Sequence, residues 1–292
     1  MVQKIGPVID SRPGGLAGEL IESLSHVSST PCKSVLLLRD IVDAPPETVR
    51  RWQDEGVYSL IRTRYDSVVF LGEQSFFDAL VKYRLQRYRG KVCHAGFLGN
   101  PRFDIVNSTL PPHTSKGRVL VSVGGGFDGS QIIQTVCDLL VDKTKNMAEL
   151  AFTIVLGANC PLTSAEIRQH VKGADAYVEV LTYVSDLTCR IVEADLVISM
   201  CGYNTMFELI EAQKKIIAVP RDHSGYEQTL RACLLSDVYD GLWVIPQSEL
   251  SSTRLALTMA AALEAPPPKA RIPMNGAANL IAHLISIAPR QV

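Results

Sequence analysis

The chain has no apolar run approaching the roughly eighteen residues that cross a bilayer; its longest such stretches, around 255–263 and 280–288, are too short. Charge of one sign is also missing. With 29 basic against 30 acidic side chains, no global field recruits a polyanion, so no nucleic-acid partner is expected. The seven cysteines (Cys32, Cys93, Cys137, Cys160, Cys189, Cys201, Cys233) are odd in number and form no C-x-x-C pair, which speaks against a zinc ribbon or a disulfide frame. The six histidines are scattered and no D-x-D motif follows a strand, so neither metal nor cofactor is expected. The opening residues, Met-Val-Gln-Lys-Ile-Gly-Pro, contain no secretory hydrophobic region. The expected location is cytoplasmic, or peripheral to a membrane.

What is present is a globular composition: 47% hydrophobic and 20% charged over 292 residues, enough for one large core or two ordinary ones. Short apolar, β-branched runs at 4–9, 34–38, 67–71, 91–95, 118–123, 152–156, 176–180, 196–199, 216–219 and 242–245 alternate with amphipathic stretches. That alternation predicts an α/β fold with parallel sheets. Pro46-Glu47-Thr48 opens a helix with proline in its first turn, and Thr163-Ser164-Ala165-Glu166 has capping-box spacing. The proline-bearing stretch 99–117 reads as a linker, which places a domain boundary near residue 110 and domains at 1–110 and 111–292. A helix over 275–287, beyond Pro266-Pro267-Pro268, is placed to reach back to the first domain.

Two strand-to-helix turns carry glycine: Ser122-Val123-Gly124-Gly125-Gly126-Phe127-Asp128-Gly129-Ser130 and Ser199-Met200-Cys201-Gly202-Tyr203-Asn204-Thr205-Met206-Phe207-Glu208. Glycine lets backbone amides approach an anion, and the helix that follows directs its positive dipole end at the same place. Gly124-x-Gly126-x-x-Gly129 also fits the dinucleotide fingerprint. A NAD site, however, needs an acidic residue at the end of the next strand, and Leu156-Gly157-Ala158-Asn159 has none. Glu208, one turn into the second helix, is the carboxylate placed to hold a ribose diol. Met200, Met206 and Phe207 read as packing residues.

From residue 119 onward the chain resembles the nucleotide-sugar-binding domain of GT-B glycosyltransferases of the family 28 type, and within it a group of bacterial predicted glycosyltransferases. The resemblance runs through the first glycine turn, Tyr183-Val184-Ser185-Asp186-Leu187, Ala194-Asp195-Leu196-Val197-Ile198-Ser199 with Gly202, Asn204, Thr205 and Glu208, then Val219-Pro220-Arg221 and Glu227-Gln228. It implies a GT-B-like fold of two Rossmann-like parallel-sheet domains. The implied donor-binding residues are Gly124, Gly125, Gly126, Asp128 and Gly129 at the diphosphate, and Tyr183 and Val184 at the base. Glu208 is implied at the ribose, with Ser199, Gly202, Tyr203, Asn204, Thr205 and Arg221 around the donor. Glu227 and Gln228 are implied near the sugar. The resemblance covers the first domain only in part: the family's opening strand, with its glycine- and histidine-containing loop, is missing, so the N-terminal domain is expected to be incomplete. A fragment, a natural truncation or a split enzyme completed by a second subunit would each account for this.

The implied reaction is metal-independent transfer of a sugar from a nucleoside-diphosphate sugar, a UDP-sugar by family habit, to an acceptor hydroxyl, either lipid-linked or on a small molecule. Turn amides and helix dipoles would stabilise the leaving diphosphate. Candidate catalytic residues are His223, in the loop 220–228, and Asp10, after the first strand. A loop histidine and a turn-forming aspartate are the structural alternatives for these two. A nucleotide-sugar epimerase of the same fold and a non-catalytic donor-binding subunit are the other functional readings. Finally, the basic run 82–91, with Tyr83 and Tyr88 inside it, is either an anionic-lipid contact or a solvated helix end.

Overall fold

A computed structural model describes residues 5–104, 117–223 and 225–288. Among these residues, ten strands form where the apolar runs predict them: β1 (Ile5–Asp10), β2 (Lys33–Arg39), β3 (Ser67–Leu71), β4 (Val92–His94), β5 (Gly117–Ser122), β6 (Leu150–Val155), β7 (Tyr177–Leu181), β8 (Leu196–Ser199), β9 (Lys215–Ala218) and β10 (Leu242–Val244). They pair in parallel as one sheet of order β1-β2-β3-β4 and another of order β10-β9-β8-β5-β6-β7. The chain divides into two compact units, 1–99 with 273–292, and 100–272. The boundary expected near residue 110 lies outside the described residues.

In the first unit, Val35, Leu36, Val68, Val69 and Phe70 are fully buried. Aromatic rings fill the space beside them: Trp52, Phe70 and Phe77 pack around Tyr83, with ring centroids 5.4, 6.2 and 5.4 Å from it. The last helix, Gly276–Ile287, belongs to this unit. Asn279 Nδ2 donates to the Ala95 carbonyl at 2.8 Å, and His283 Nε2 lies 2.7 Å from Ser67 Oγ.

The basic run 82–91 does not form the interleaved surface that its sequence suggests. Tyr83 is a core residue with no exposure, its hydroxyl donating to Asp43 O at 2.9 Å and accepting from Val42 N at 3.0 Å. Tyr88 stacks on Tyr58 at 6.4 Å. Lys91 closes the carboxyl end of the helix Val57–Thr63, donating to the carbonyls of Ile61, Arg62 and Tyr65 at 3.0, 2.9 and 2.6 Å. A cation there meets both the unpaired carbonyls and the negative end of the helix dipole.

In the second unit both sheet faces are covered, so β8 is buried at all four positions, as parallel sheets require. On one face Val119, Val121, Phe152, Ile154 and Ile198 meet Ile133, Val136 and Leu140 of the helix Ser130–Val141 and Leu255 and Met259 of the helix Ser252–Glu264. Met206 and Phe207 are fully buried packing residues and Met200 nearly so. The capping box forms as predicted, with Glu166 N donating to Thr163 Oγ1 and Thr163 N to Glu166 Oε2. From β5 the chain runs outward through β6 and β7, then returns to β8 on the other side of β5 and runs outward again through β9 and β10. The β5–β8 junction is therefore a topological switch point, the place where open α/β sheets bind ligands.

Lys91→Met should lower unfolding stability by about 1–3 kcal/mol, because three carbonyls at and just beyond the helix end lose a charged donor. Arg87→Met, in the same basic run but solvent-exposed, should change it by less than about 0.5 kcal/mol. Urea titration of both variants checks this contrast.

Candidate functional site

Ser122 and Ser199 end neighbouring strands in register, so the two glycine turns leave the sheet side by side. Ser199 is buried, and its hydroxyl donates to the Ser122 carbonyl at 2.7 Å. The bond ties the two strand ends together just before the turns.

In the first turn the glycines divide by role. Gly126 N–H donates inward to Val123 O at 3.3 Å, and a Cβ on Gly126 would sit 2.7 Å from Cys160 N and Leu156 O. Gly157, at φ +87°, abuts the same turn so closely that any side chain would collide with the Gly124 carbonyl. Asn159 N donates to Gly125 O at 2.9 Å. The stretch 156–160 thus holds the first turn from behind. By contrast, nothing lies within 4 Å of a Cβ built on Gly124 or on Gly202. Gly202 has ordinary backbone angles, φ −70° and ψ 146°, so neither conformation nor packing asks for glycine there. The open side of both turns is where backbone can approach a ligand.

The helices that follow, Ser130–Val141 and Tyr203–Glu211, begin at Gly129 and Gly202 with no side-chain cap. Glycine at the cap position of each helix has no side chain of its own to compete there with an incoming anion.

Around these turns the second unit gathers polar side chains. Arg221 donates from Nη1 to Asp128 Oδ2 at 3.0 Å and from Nη2 to Glu227 Oε1 at 2.6 Å. His223 Nε2 lies 3.3 Å from Asp128 Oδ1, and its ring is half exposed. Asp128, Arg221, His223 and Glu227 therefore form one network joining the first turn to the loop after β9. Gln228 is buried, its Oε1 accepting from Cys201 N and Arg221 N, both at 3.3 Å. Tyr203 is buried too, while Asn204 is exposed and Thr205 half-buried. Tyr183 is exposed and Val184 half-buried, in the loop after β7. Asp10 belongs to the first unit, where Ser11 Oγ donates to it at 2.8 Å.

Glu208 is half-buried. Burial pushes its carboxyl above the usual range, the Asn100 hydrogen bond pulls it back, and the charges of Asp186 and Glu211 push it up further. Asn100 Nδ2 donates to Glu208 Oε1 at 3.2 Å and its backbone N–H to Glu211 Oε2 at 2.6 Å. Two residues on, Arg102 Nη1 donates to Asp186 Oδ2 at 2.8 Å, and Asp186 Oδ1 also caps Thr188 N at 2.9 Å. Asn100 and Arg102 escaped the sequence reading because they sit in a stretch with no apolar periodicity. Gly157 and Asn159 follow a strand end without the carboxylate of a dinucleotide site, and their bracing of the first turn is long-range, with no local sequence signal.

A separate groove of about 250 Å³, lined by Arg118, Tyr177, Glu179, Arg190 and Glu193, lies toward the amino ends of β5–β7. Its Arg190 is paired with Glu179 and Glu193, and it shares no residue with the turns.

Because the raised Glu208 carboxyl binds its proton more tightly folded than unfolded, its contribution to stability is full below the ordinary carboxylate range and lost as pH rises through the raised value. Glu208→Gln, which removes the buried charge and keeps an acceptor for Asn100, should therefore raise the urea midpoint at pH 7, and that advantage should shrink toward pH 4. Urea titrations at the two pH values test this.

Comparison with known proteins adds the family. A model of the glycosyltransferase family 28 C-terminal domain matches residues 119–284, more than half of the chain. A UDP-N-acetylglucosamine--N-acetylmuramyl-(pentapeptide) pyrophosphoryl-undecaprenol N-acetylglucosamine transferase of Histophilus somni (strain 129Pt) is 26% identical over 176 residues, covering 59% of this chain and 49% of that protein. The chain spans about half the length of the curated relatives it matches. Among solved structures, the glycotransferase of kitacinnamycin superposes with a TM-score of 0.58 at 11% identity, covering 96% of this chain and 71% of that one. The MurG of Acinetobacter baumannii superposes with a TM-score of 0.50 at 15% identity, covering 96% and 93%. At such identities the structures speak to the fold, which is that of the GT-B glycosyltransferases. By the match over 119–284, this chain belongs to glycosyltransferase family 28 through that family's C-terminal domain.

Proposed function

We propose that the second unit binds a nucleoside-diphosphate sugar, a UDP-sugar in particular, and that the protein transfers the sugar to an acceptor hydroxyl. The observation that carries this reading is the pair of adjacent, uncapped glycine turns at the β5–β8 switch point, open above Gly124 and Gly202. Diphosphate oxygens accept from amides of both turns, and the helix dipoles of Ser130–Val141 and Tyr203–Glu211 add their positive ends. Glu208 accepts from the ribose hydroxyls, Asn100 moving aside or sharing the carboxylate. The loop 183–186 takes the base, and the Asp128–Arg221–Glu227 network borders the sugar. Uridine as the base and N-acetylglucosamine as the sugar are supported by the names of the relatives. A lipid-linked acceptor rests on the same names.

In the transfer, the acceptor oxygen forms a bond to the anomeric carbon as the bond from that carbon to the diphosphate oxygen breaks. The acceptor hydroxyl loses its proton to a base and the electron pair leaves with the diphosphate. Amides and dipoles positioned for that growing negative charge can do the work that a metal does elsewhere, so the proposal is metal-independent. The two candidate bases are His223, which stands 3.3 Å from Asp128, and Asp10.

Calorimetric titration with UDP should give Glu208→Ala a dissociation constant about ten- to hundredfold weaker than the parent protein, the loss of a charged hydrogen bond worth about 1–3 kcal/mol. Wild-type affinity should also fall as pH drops through the raised Glu208 value, because ribose donors prefer the ionised carboxylate. Unchanged affinity in Glu208→Ala would take that residue out of the site. Product analysis separates transfer from epimerisation: transfer releases free nucleoside diphosphate, whereas epimerisation leaves an epimeric donor and none. Of His223→Ala and Asp10→Asn, the variant lacking the base should lose turnover by about 100-fold or more while binding UDP within about threefold of wild type.

A further inference from the structure

The helix Glu227–Ser236 lies behind the second glycine turn and takes hold of one residue of it from both sides. Gln228 Oε1 accepts from Cys201 N at 3.3 Å, and Arg231, one helical turn later, donates from Nη1 to Cys201 O at 2.8 Å. Arg231 is only 1% exposed, among the largest fully buried side chains of the protein. Its guanidinium also stands over the Tyr203 ring, 5.8 Å from the centroid, and Tyr203 is the first residue of the helix that the turn begins. Taking a cation out of water costs several kcal/mol even after relaxation. A cation kept at this cost, whatever its further partners, asks for a reason, and its bond to Cys201 O points to the turn.

The geometry of the peptide supplies one. The Cys201–Gly202 bond is trans, so its C=O and N–H point in opposite directions across one plane. With the carbonyl directed at Arg231, the Gly202 amide is directed away from it, and the same glycine has open space at its Cβ position. Hydrogen bonding of the carbonyl to a cation polarises the whole peptide and strengthens the opposite N–H as a donor.

We infer that Arg231 is a positioning residue for the diphosphate: with Gln228 it fixes the Cys201–Gly202 peptide with its N–H toward the ligand, and it stations a buried positive charge immediately behind that donor. This rests on the reading of the second turn as part of the diphosphate cradle. In that reading the cation belongs to the same electrostatic arrangement as the two helix dipoles, and it acts through the peptide without touching the ligand. It predicts dependence on phosphate charge, because a side chain that merely holds the fold has no reason to distinguish a nucleoside from its diphosphate.

The test is calorimetric titration of the full chain with UDP and, separately, with uridine, for wild type, Arg231→Lys and Arg231→Gln. Arg231→Gln keeps a donor for Cys201 O and removes the charge, whereas Arg231→Lys keeps both. The expected result is UDP affinity lowered about tenfold or more in Arg231→Gln, with uridine affinity within about twofold of wild type. Arg231→Lys should hold UDP affinity within about threefold. Equal losses for UDP and uridine, or an unchanged UDP affinity in Arg231→Gln, would overturn the proposal. Should Arg231→Gln fail to fold, the Gly202 amide resonance in wild type and in Arg231→Lys decides: a resonance that shifts with UDP and not with uridine in both proteins supports the proposal, and one that UDP leaves unmoved in wild type overturns it. Wild-type protein that binds neither compound would instead remove the nucleotide reading of the site, an outcome separate from any difference among the variants.

Discussion

The register between β5 and β8 sets everything above it. Ser122 and Ser199 stand opposite each other and are joined by a buried hydroxyl-to-carbonyl bond, so the two turns leave the sheet from one edge with their helices starting side by side. A slip of one residue would break the Ser199–Ser122 bond and exchange the side chains of β8 between two covered faces, each packed by different residues. The apolar core therefore enforces the register, and the register brings two sets of backbone amides to one place.

Around that fixed edge, backbone and side chains together hold the turns and the Glu208 carboxylate in place. Gly157 and Asn159 brace the first turn, Gln228 and Arg231 clamp the second, and Asn100 occupies the carboxylate of Glu208. Gln228 was expected near the donor sugar, yet its Oε1 is engaged with the amides of Cys201 and Arg221. Glu208 shows the cost of such a site: burial and two neighbouring carboxylates raise its proton affinity in the very position where an ionised group would hold a diol. Natural sites accept that kind of local instability where a ligand supplies the missing partners.

The sequence made the strands and turns legible because their signals are local. Runs such as Val119-Leu120-Val121 and Val197-Ile198 are too short and too β-branched for helices, and the glycines that follow them mark the turns. The capping box at Thr163 and Glu166 is similarly self-contained. The contacts that complete the site were not legible, since they join residues far apart in the chain: Asn100 to Glu208, Arg102 to Asp186, Arg221 to Asp128. The basic run 82–91 was legible only in part for a related reason. Tyr83 and Lys91 look like surface residues by their neighbours, but the aromatic core and the end of the helix Val57–Thr63 claim them.

The central claim is that backbone amides of two adjacent turns hold a diphosphate, and amide NMR during titration with UDP tests it most directly. The account predicts that the resonances of Gly124, Gly125 and Gly202 shift together along one saturable curve, while those of β10 at the sheet edge stay in place. Saturable binding of UDP with those three amides unmoved would contradict it.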